Sequence, residues 1–477
     1  MKFERIKSIL LVLLVISSIV LTVNKWFDKK LWPDGYNFFS DVKNSGFDDG
    51  AVLAHVSTAA NVNLLKPSEI VVNNSGDHAV YNKSSDMYGV IFGEIKGVLT
   101  AYSNSGEVSV ASDSEWNNAL KEKSIYFSYP VIYDAGYFFD QVSVKYNGNL
   151  NYLKEFIVTV ERRSRSTVYL YAKDAVSGMV YKHKVAYEND NIGSIVDSNE
   201  HSYNDTHYYS FELNFDFSSK DDSTVKQPIV IDPDVLINIT PRTLSAIDEI
   251  NMMDKISEKP EYCSGILEAF GYNASSIRRY VDYDNSMVFV ENYGVLKLHA
   301  YGVLDYKSVD DTKGINLGGD NYIENMNACF SFVDAVTGAL SFDKSMYREI
   351  SSEIHDIKSK TYTMTFDYYV DDCRVSIPAE YYGADHAITI EVVRGNIVSY
   401  RQVAKSFVKN DDYIYCSSAI DALDKVYAMP EFSGNNISNI FMAYTYSTGE
   451  NRWIPYWHVQ SSDGGVLAIS ESGEGQQ

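Results

Sequence analysis

The stretch from Ser124 to Ala186 decides the fold, because it contains five runs that read as strands. The runs are YFSYPVIY (126–133), VSVKY (142–146), FIVTV (156–160), TVYLY (167–171) and MVYKHKVA (179–186). β-Branched and aromatic residues favour strands, and alternation with a period of two places successive side chains on opposite faces. Asn147-Gly148 is a typical hairpin turn between two of the runs. We therefore predict an antiparallel sheet, polar on at least one face.

The sequence on either side extends this β-rich region. Lys66–Val72 reads as a strand, and the polar sequence Asn73–Asp77 predicts the turn that closes it. Gln227-Pro228 and Asp232-Pro233 indicate that the region ends before residue 240. We predict an N-terminal β-rich domain over residues 61–235.

The second half of the chain alternates between helices and paired strands. We predict helices over Thr243–Ser257, Ser264–Ala269, Tyr322–Val336 and Tyr415–Tyr427, and strands over 287–290, 294–301, 303–306, 361–369, 387–402, 439–446 and 453–469. Strand pairs with an intervening helix occur twice, which predicts a central α+β domain (240–345), a C-terminal α+β domain (346–470) and a flexible tail (471–477). The predicted fold class is α+β, with helices packed on antiparallel sheets.

The N-terminus carries a single long apolar run. Ser8–Val23 reads SILLVLLVISSIVLTV and has no charge, whereas Lys2, Arg5 and Lys7 precede it and three further lysines follow by residue 30. As a helix it would span roughly 24 Å, close to the ~30 Å hydrocarbon core of a bilayer. We predict a transmembrane anchor over residues 8–25, after a cytoplasmic tail (1–7) and before a linker or helix (26–60).

A cleavable signal peptide is the main alternative for this run. The residues after it, Thr22-Val23-Asn24-Lys25-Trp26, fit an A-x-A-like cleavage site badly, and the first cysteine is Cys263, too distant for a lipoprotein. Basic residues flank both ends, so the positive-inside rule gives little orientation. The short N-terminal tail and the signal-like layout favour a cell-membrane protein with its large body outside the cytoplasm.

Small hydroxyl residues in the apolar run are candidates for helix–helix contact. Ser17, Ser18 and Thr22 are the polar residues near its C-terminal end, and Ser18 and Thr22 lie four residues apart on one face. Such residues allow close packing and hydrogen bonds between membrane helices. The alternative is that their own backbone satisfies them. We take the three as the predicted partner-binding face.

Composition excludes nucleic acid as a partner. The 477 residues include 38 tyrosines and carry a formal net charge of -23, spread along the chain, which repels phosphate backbones. The four cysteines (Cys263, Cys329, Cys373 and Cys416) lack the spacing of a zinc site and allow three disulfide pairings or four buried thiols.

The search for catalytic and metal motifs finds only weak matches. S-x-x-K occurs at Ser40, Ser341 and Ser406 without a K-T-G partner, which indicates chance. Asp282–Ser286 begins like a calcium loop but lacks its glycine and terminal glutamate. The acidic residues around 216–234 and the scattered histidines His355, His386 and His458 read as surface or core residues. The sequence indicates neither an enzyme nor a cofactor site.

Four segments resemble the YycH family of membrane-anchored accessory proteins of the YycF–YycG (WalR–WalK) two-component system. They are the apolar start (6–22), LKPSEIVV with Gly76-Asp77-His78 (65–78), IEVVRGNIVSYRQ (390–402), and IPYW through Asp463-Gly464-Gly465 (454–465). The last two are similar to strands shared with the sister protein YycI. The segments follow the family's order over nearly the full chain, as in a divergent member.

This resemblance implies an elongated extracytoplasmic α+β body, YycI-like in its two C-terminal units, behind a single membrane helix. It implies a non-enzymatic protein that modulates a sensor histidine kinase through its helix and body, together with a YycI-like partner. Whether the effect is inhibition or activation stays open. The alternatives are an anchored envelope hydrolase, suggested by the S-x-x-K matches, and an extracellular binding or scaffold module.

Overall fold

The protein is α+β and consists of two large, mainly antiparallel sheets with helices packed on them. The structure is a computed structural model and describes residues 67–82, 85–102, 107–141, 146, 148–160, 166–188, 190–198, 206–213, 230–258, 261–291, 294–342, 347–356, 358–429, 436–469 and 475–476. Within these residues the two sheets have nine and seventeen strands.

The N-terminal sheet has nine strands in the order β10-β8-β2-β1-β4-β5-β6-β7-β3, all antiparallel to their neighbours. Its strands are β1 (Glu69–Asn73), β2 (His78–Asn82), β3 (Glu107–Ala111), β4 (Ser124–Asp134), β5 (Tyr152–Val160), β6 (Thr167–Asp174), β7 (Val180–Ala186), β8 (His207–Tyr209) and β10 (Leu236–Asn238).

The C-terminal sheet has seventeen strands, and it includes one strand from the first half of the chain, β9 (Val230–Ile231). The others are β11 (Arg242–Asn251), β12 (Arg278–Val281), β13 (Met287–Glu291), β14 (Gly294–His299), β15 (Val303–Ser308), β16 (Ile315–Asn316), β17 (Tyr347–Asp356), β18 (Thr361–Val370), β19 (Cys373–Val375), β20 (Ile388–Val393), β21 (Asn396–Val403), β22 (Lys405–Cys416), β23 (Asn436–Ser447), β24 (Arg452–Ser461), β25 (Val466–Ile469) and β26 (Gly475–Gln476). Two pairings in it are parallel, β19 with β23 and β23 with β9.

The helices are short apart from two. They are α1 (Asp86–Ala101), α2 (Asp113–Lys121), α3 (Ala135–Gln141), α4 (Asp190–Asp197), α5 (Met252–Glu258), α6 (Glu261–Ala269), α7 (Tyr322–Ala339), α8 (Ala379–Tyr382) and α9 (Ala419–Ala428), with a 3₁₀ turn at Ser210–Glu212. Side chains at the N-termini fix where several of them begin. Ser112 and Ser418 form capping boxes for α2 and α9, and Asn321 caps α7.

Helices cover both faces of the N-terminal sheet at β5. Phe156 shares a buried cluster with Ile91 of α1, whereas its neighbour Ile157 lies in a separate cluster with Trp116 and Leu120 of α2. Consecutive residues of a strand point to opposite faces, so two helical layers are needed to bury both. This central part of the sheet is therefore apolar on both faces rather than polar on one.

The core beside the C-terminal sheet is built from aromatic rings. Phe332 of α7 packs edge-on against Phe270 at the end of α6 and Tyr400 of β21, with ring centroids 5.1 and 5.2 Å apart. The hairpin of β20 and β21 is closed by Arg394 and Gly395. Both have positive φ (53° and 77°), as a two-residue type I′ turn requires.

Most predicted elements are confirmed, although their ends differ. The predicted strands at 126–133, 156–160, 167–171 and 179–186 lie within β4 to β7, and the turn at Asn73–Asp77 connects β1 to β2. The helix predicted from Tyr415 begins only at Ala419, because β22 continues to Cys416 and Ser418 caps the helix. The run at 142–146 lies almost wholly outside the described residues.

The helix predicted over Thr243–Ser257 is wrong in its first half. Residues Arg242–Asn251 form β11, which pairs with β22 at nine positions, and the helix α5 begins only at Met252. Leu, Ala and Glu in this segment favour a helix locally, but pairing along β22 outweighs that preference. Asn251 then starts α5, since its Oδ1 accepts the N–H of Met253 at 3.1 Å.

The predicted membrane anchor (8–25), its flanking tail and its linker (26–60) lie outside the described residues. Among the helices that are described, none has both the length and the apolar character needed to cross a bilayer. All four cysteines are buried and none forms a disulfide, so the open question of disulfide pairing is answered by four separate thiols. The predicted division into domains stays a prediction.

Candidate functional site

A cleft of about 500 Å³ opens in the C-terminal sheet where β11, β22 and β24 meet α8. It is rich in aromatic and charged side chains and is called the tyrosine cleft below. Its lining consists of Ile247, Asp248, Glu249, Tyr301, Pro378, Tyr381, Tyr382, Lys405, Tyr446, Asn451, Arg452 and Trp453.

The floor of the tyrosine cleft is a glutamate held by three donors. Lys405 Nζ donates to Glu249 Oε1 at 2.7 Å, and the Tyr382 hydroxyl donates to Oε2 at 2.6 Å. The indole N–H of Trp453 reaches the same Oε2 at 3.3 Å. Burial and the bond to the carboxylate both raise the pKa of Tyr382, so its hydroxyl stays protonated as a donor. Glu249 is therefore fixed in place by the protein itself.

Aromatic rings form the walls of the tyrosine cleft. Tyr446 packs edge-on against Trp453 on one side and against Tyr381 on the other, with centroids 5.6 and 5.7 Å apart. The Tyr446 hydroxyl donates to Asn451 Oδ1 at 2.7 Å. Tyr301 and Tyr381 expose 46% and 50% of their surface. The cleft therefore presents two accessible rings above a rigid aromatic base.

The charges at the rim are mostly engaged within the protein. The guanidinium of Arg452 contacts Asp412 at 2.5 Å and also pairs with Glu450. Asp248 accepts a bond from the Asn410 side-chain amide at 3.2 Å. These contacts hold the rim in shape and suit the cleft to binding rather than to proton transfer or nucleophilic attack.

The predicted partner-binding residues Ser17, Ser18 and Thr22 lie outside the described residues, as does Ser40. The partner-binding face therefore stays a prediction from the sequence.

The S-x-x-K match at Ser406 does not form a catalytic pair. Ser406 and Lys409 are three residues apart on β22, which is regular there, so their side chains point to opposite faces. Lys409 instead pairs with Asp371 at 2.6 Å. Ser341 lies in the turn after α7 with a φ of 61°, and its Lys344 is outside the described residues.

The sequence Asp282–Ser286, which begins like a calcium-binding loop, forms the turn between β12 and β13. The side chain of Lys297 lies against this turn. Lys297 Nζ lies 2.8 Å from Asp282 and 3.3 Å from Asp284. A cation supplied by the chain thus lies against both carboxylates and offsets one of their two charges. In the part of the chain that the structure describes, no three His, Cys, Asp or Glu side chains gather into a metal-binding group.

The described members of the predicted acidic group, Asp232 and Asp234, lie near each other, but among the described residues no third ligand joins them in a metal-binding group. Asp234 pairs with Lys173 at 3.2 Å, and the pKa of Asp232 is raised by burial and by Asp234. Asp216, Asp221 and Asp222 lie outside the described residues.

The three histidines singled out in the sequence serve the structure locally. His355 contacts Thr363 at 3.0 Å on the surface, and His386 contacts Asp367, a fully buried carboxylate, at 3.2 Å. His458 is buried and bonds Thr445 at 2.7 Å. Burial and the nearby Arg374 lower its pKa to about 3, so it is neutral at pH 7.

A fourth histidine, His78 of the G-x-H motif, lies in a sealed network of the N-terminal sheet. Its Nδ1 is 2.7 Å from Asn73 Oδ1, and its Nε2 is 2.7 Å from Glu212 Oε2. Asn73 in turn donates to the Ser124 hydroxyl at 2.9 Å. The side chain of His78 is wholly buried and that of Glu212 is 6% exposed, so the network joins β1, β2 and the turn after β8 without facing solvent.

Sequence reasoning missed the tyrosine cleft altogether. Glu249 and Trp453 are 204 residues apart and meet only because β11 pairs with both β22 and β24. The one signal in the sequence is the excess of tyrosine, which does not say where the rings gather.

Comparison with known proteins identifies a solved structure with a similar fold. No protein-family model matches the chain, and no curated protein matches it. Among solved structures it is similar to the crystal structure of YycH from Bacillus subtilis, with a TM-score of 0.55 and 11% sequence identity, over 89% of this chain and 100% of that one. The chain therefore has the fold of YycH, and the resemblance predicted from its sequence is confirmed at the level of the fold.

Proposed function

We propose that this protein is a non-enzymatic, membrane-anchored regulator that modulates a sensor histidine kinase of the YycG (WalK) type. The observation that carries the proposal is the likeness to YycH, which extends over that whole chain and 89% of this one. The four sequence segments that resemble the family lie in the same order along the chain. A function shared by the two proteins would explain why the likeness extends over most of both chains rather than over one domain.

The proposed arrangement puts the apolar helix in the cell membrane and the two sheets outside the cytoplasm. The uncharged run Ser8–Val23 supports it, because its length is close to that of a bilayer core and basic residues flank both ends. Alkaline phosphatase fused after Gln477 reports the orientation, since it folds only outside the cytoplasm. We expect an active fusion; an inactive phosphatase on a stably expressed chain would reverse the arrangement.

Contact with the kinase and with a YycI-like partner is assigned to the membrane helix and the body together. Ser17, Ser18 and Thr22 are the proposed contact residues in the helix, because small hydroxyl residues permit close helix packing. Replacing residues 8–25 by an unrelated membrane helix should abolish co-purification of the kinase from membranes. Unchanged co-purification would refute a contact through the helix.

A finer test compares two faces of the same helix. The double variant Ser18→Leu/Thr22→Leu fills the proposed face, whereas Val20→Leu adds one methylene about 200° away around the helix. We expect the double variant to reduce co-purification strongly and Val20→Leu to leave it unchanged. Equal effects of both would assign the contact to another surface.

A further inference from the structure

We propose that the tyrosine cleft binds a neutral oligosaccharide, with sugar rings lying against Tyr301 and Tyr381. This goes beyond regulation of a kinase and concerns the body of the protein alone. The charge of the cleft, the exposure of its aromatic rings, its available hydrogen-bond donors and its volume all support this proposal.

The charge of the cleft favours an uncharged ligand. Its lining contains two acidic residues, Asp248 and Glu249, and two basic ones, Lys405 and Arg452, which cancel. Lys405 is committed to Glu249, and Arg452 is committed to Asp412 and Glu450. A phosphate would find both cations of the lining already paired, and displacing a partly buried pair is costly. A cation would find only the single carboxylate of Asp248, which is already bonded to the Asn410 amide.

Exposed aromatic rings favour a ligand with apolar faces. Tyr301 and Tyr381 are about half exposed, although large aromatic side chains gain from burial. The C–H faces of a pyranose ring are flat enough to cover a phenol ring, while its hydroxyls remain at the ring edge. The cleft offers such a ligand two half-exposed aromatic rings in one lining.

Neutral hydrogen-bonding groups surround those rings. Within the described part of the chain, the hydroxyls of Tyr301 and Tyr381 have no hydrogen-bond partner, and the Asn451 amide nitrogen stays available because Tyr446 bonds only its oxygen. Hydroxyls and amides both donate and accept, which matches the hydroxyls of a sugar. The volume of about 500 Å³ lies within the ~300–1,000 Å³ of small-ligand sites.

A proline-rich peptide is the ligand that this cleft fits less well. Aromatic grooves for such peptides present polar donors to the peptide carbonyls. Here the indole N–H of Trp453 is spent on Glu249 and Trp453 is 1% exposed, so only the two tyrosine hydroxyls and the Asn451 amide remain as donors to peptide carbonyls. The peptide is therefore an outcome to be tested rather than the expected ligand.

The test is isothermal titration calorimetry of the full chain, in a zwitterionic detergent that carries no sugar headgroup. The probes are cellotetraose and chitotetraose, with a polyproline decapeptide and poly(glycerol phosphate) for comparison. We expect saturable binding of at least one tetrasaccharide with a Kd near or below ~1 mM. Because no kinase is present, the result is independent of the proposed regulation.

The variants locate the site. Tyr381→Ala and Tyr301→Ala should each weaken binding by about fivefold or more, and Tyr381→Phe should retain most of it because the ring remains. Tyr413→Ala is the matched control: Tyr413 is 70% exposed on β22 but does not line the cleft. No saturable binding of either tetrasaccharide, preference for the peptide or the anionic polymer, or Ala variants that bind like the parent would each overturn the proposal.

Discussion

Two glutamates, one in each half of the molecule, are held by similar numbers of partners yet face different surroundings. Glu212 contacts His78 inside the N-terminal sheet, where both side chains are sealed from solvent. Glu249 is held by Lys405, Tyr382 and Trp453 at the floor of an open cleft. A sealed polar network can only position the chain, whereas one at the base of a cleft also shapes a surface that a ligand can reach. The difference is best examined by breaking each network separately.

The largest effect is expected in the sealed network. His78→Ala removes one bond from Glu212 and one from Asn73, which then accept only from the Tyr209 N–H at 3.1 Å and the Tyr209 hydroxyl at 3.5 Å. It should lower the free energy of unfolding by about 3 kcal/mol, since buried polar groups lose a bond. Urea unfolding measures the loss, and hydrogen exchange should show faster exchange in β1 and β2 than in β24.

The matched control is His355→Ala. His355 is exposed, and its ring contacts Thr363 at 3.0 Å. Its loss should cost under about 0.5 kcal/mol. Equal losses for the two histidines would mean that the sealed network does not stabilise the N-terminal sheet.

A smaller effect is expected at the floor of the cleft. Glu249→Gln leaves the nearly buried Lys405 ammonium without its carboxylate and should cost about 2 kcal/mol. The double variant Glu249→Gln/Lys405→Met removes both charges and should regain at least half of that. A double variant as unstable as the sum of its singles would show that the two groups act independently.

Each sheet contains a buried histidine with a lowered pKa, and both should make the stability of the protein depend on pH. Burial lowers the pKa of His183 in β7 to about 4, and burial with Arg374 lowers that of His458 in β24 to about 3. Below pH ~6.5 the unfolded chain binds a proton at each histidine while the folded chain does not. Stability should therefore fall with decreasing pH, by about 1.4 kcal/mol per pH unit for each histidine.

Variants isolate these two contributions. Between pH 6 and 4.5, His183→Gln and His458→Gln should each flatten the slope of unfolding free energy against pH by about that amount. His355→Gln, at an exposed position, serves as the control for the substitution itself. A parent slope retained in both buried variants would assign the acid sensitivity to carboxylates instead.

The sequence predicts an element of this fold correctly where the physical cause of that element lies within a few residues of the chain. Runs such as 156–160 predicted strands correctly, because alternation and β-branching act within a few residues. Residues 243–251, within the helix predicted over 243–257, form a strand instead, because their partner strand β22 is more than 150 residues away and leaves no local signal. The tyrosine cleft was out of reach for the same reason: Glu249 and Trp453 are brought together by sheet order rather than by any spacing in the chain.

Strand β9 has a consequence for cutting the protein into pieces. Along the chain, β8 and β10 belong to the N-terminal sheet, while β9 between them and β11 after them belong to the C-terminal sheet. Wherever a protease or a truncation divides the chain between residues 209 and 242, at least one fragment lacks a strand that its own sheet contains. The two sheets are thus interleaved along the chain, and no single cut yields two fragments that each contain all the strands of their own sheet.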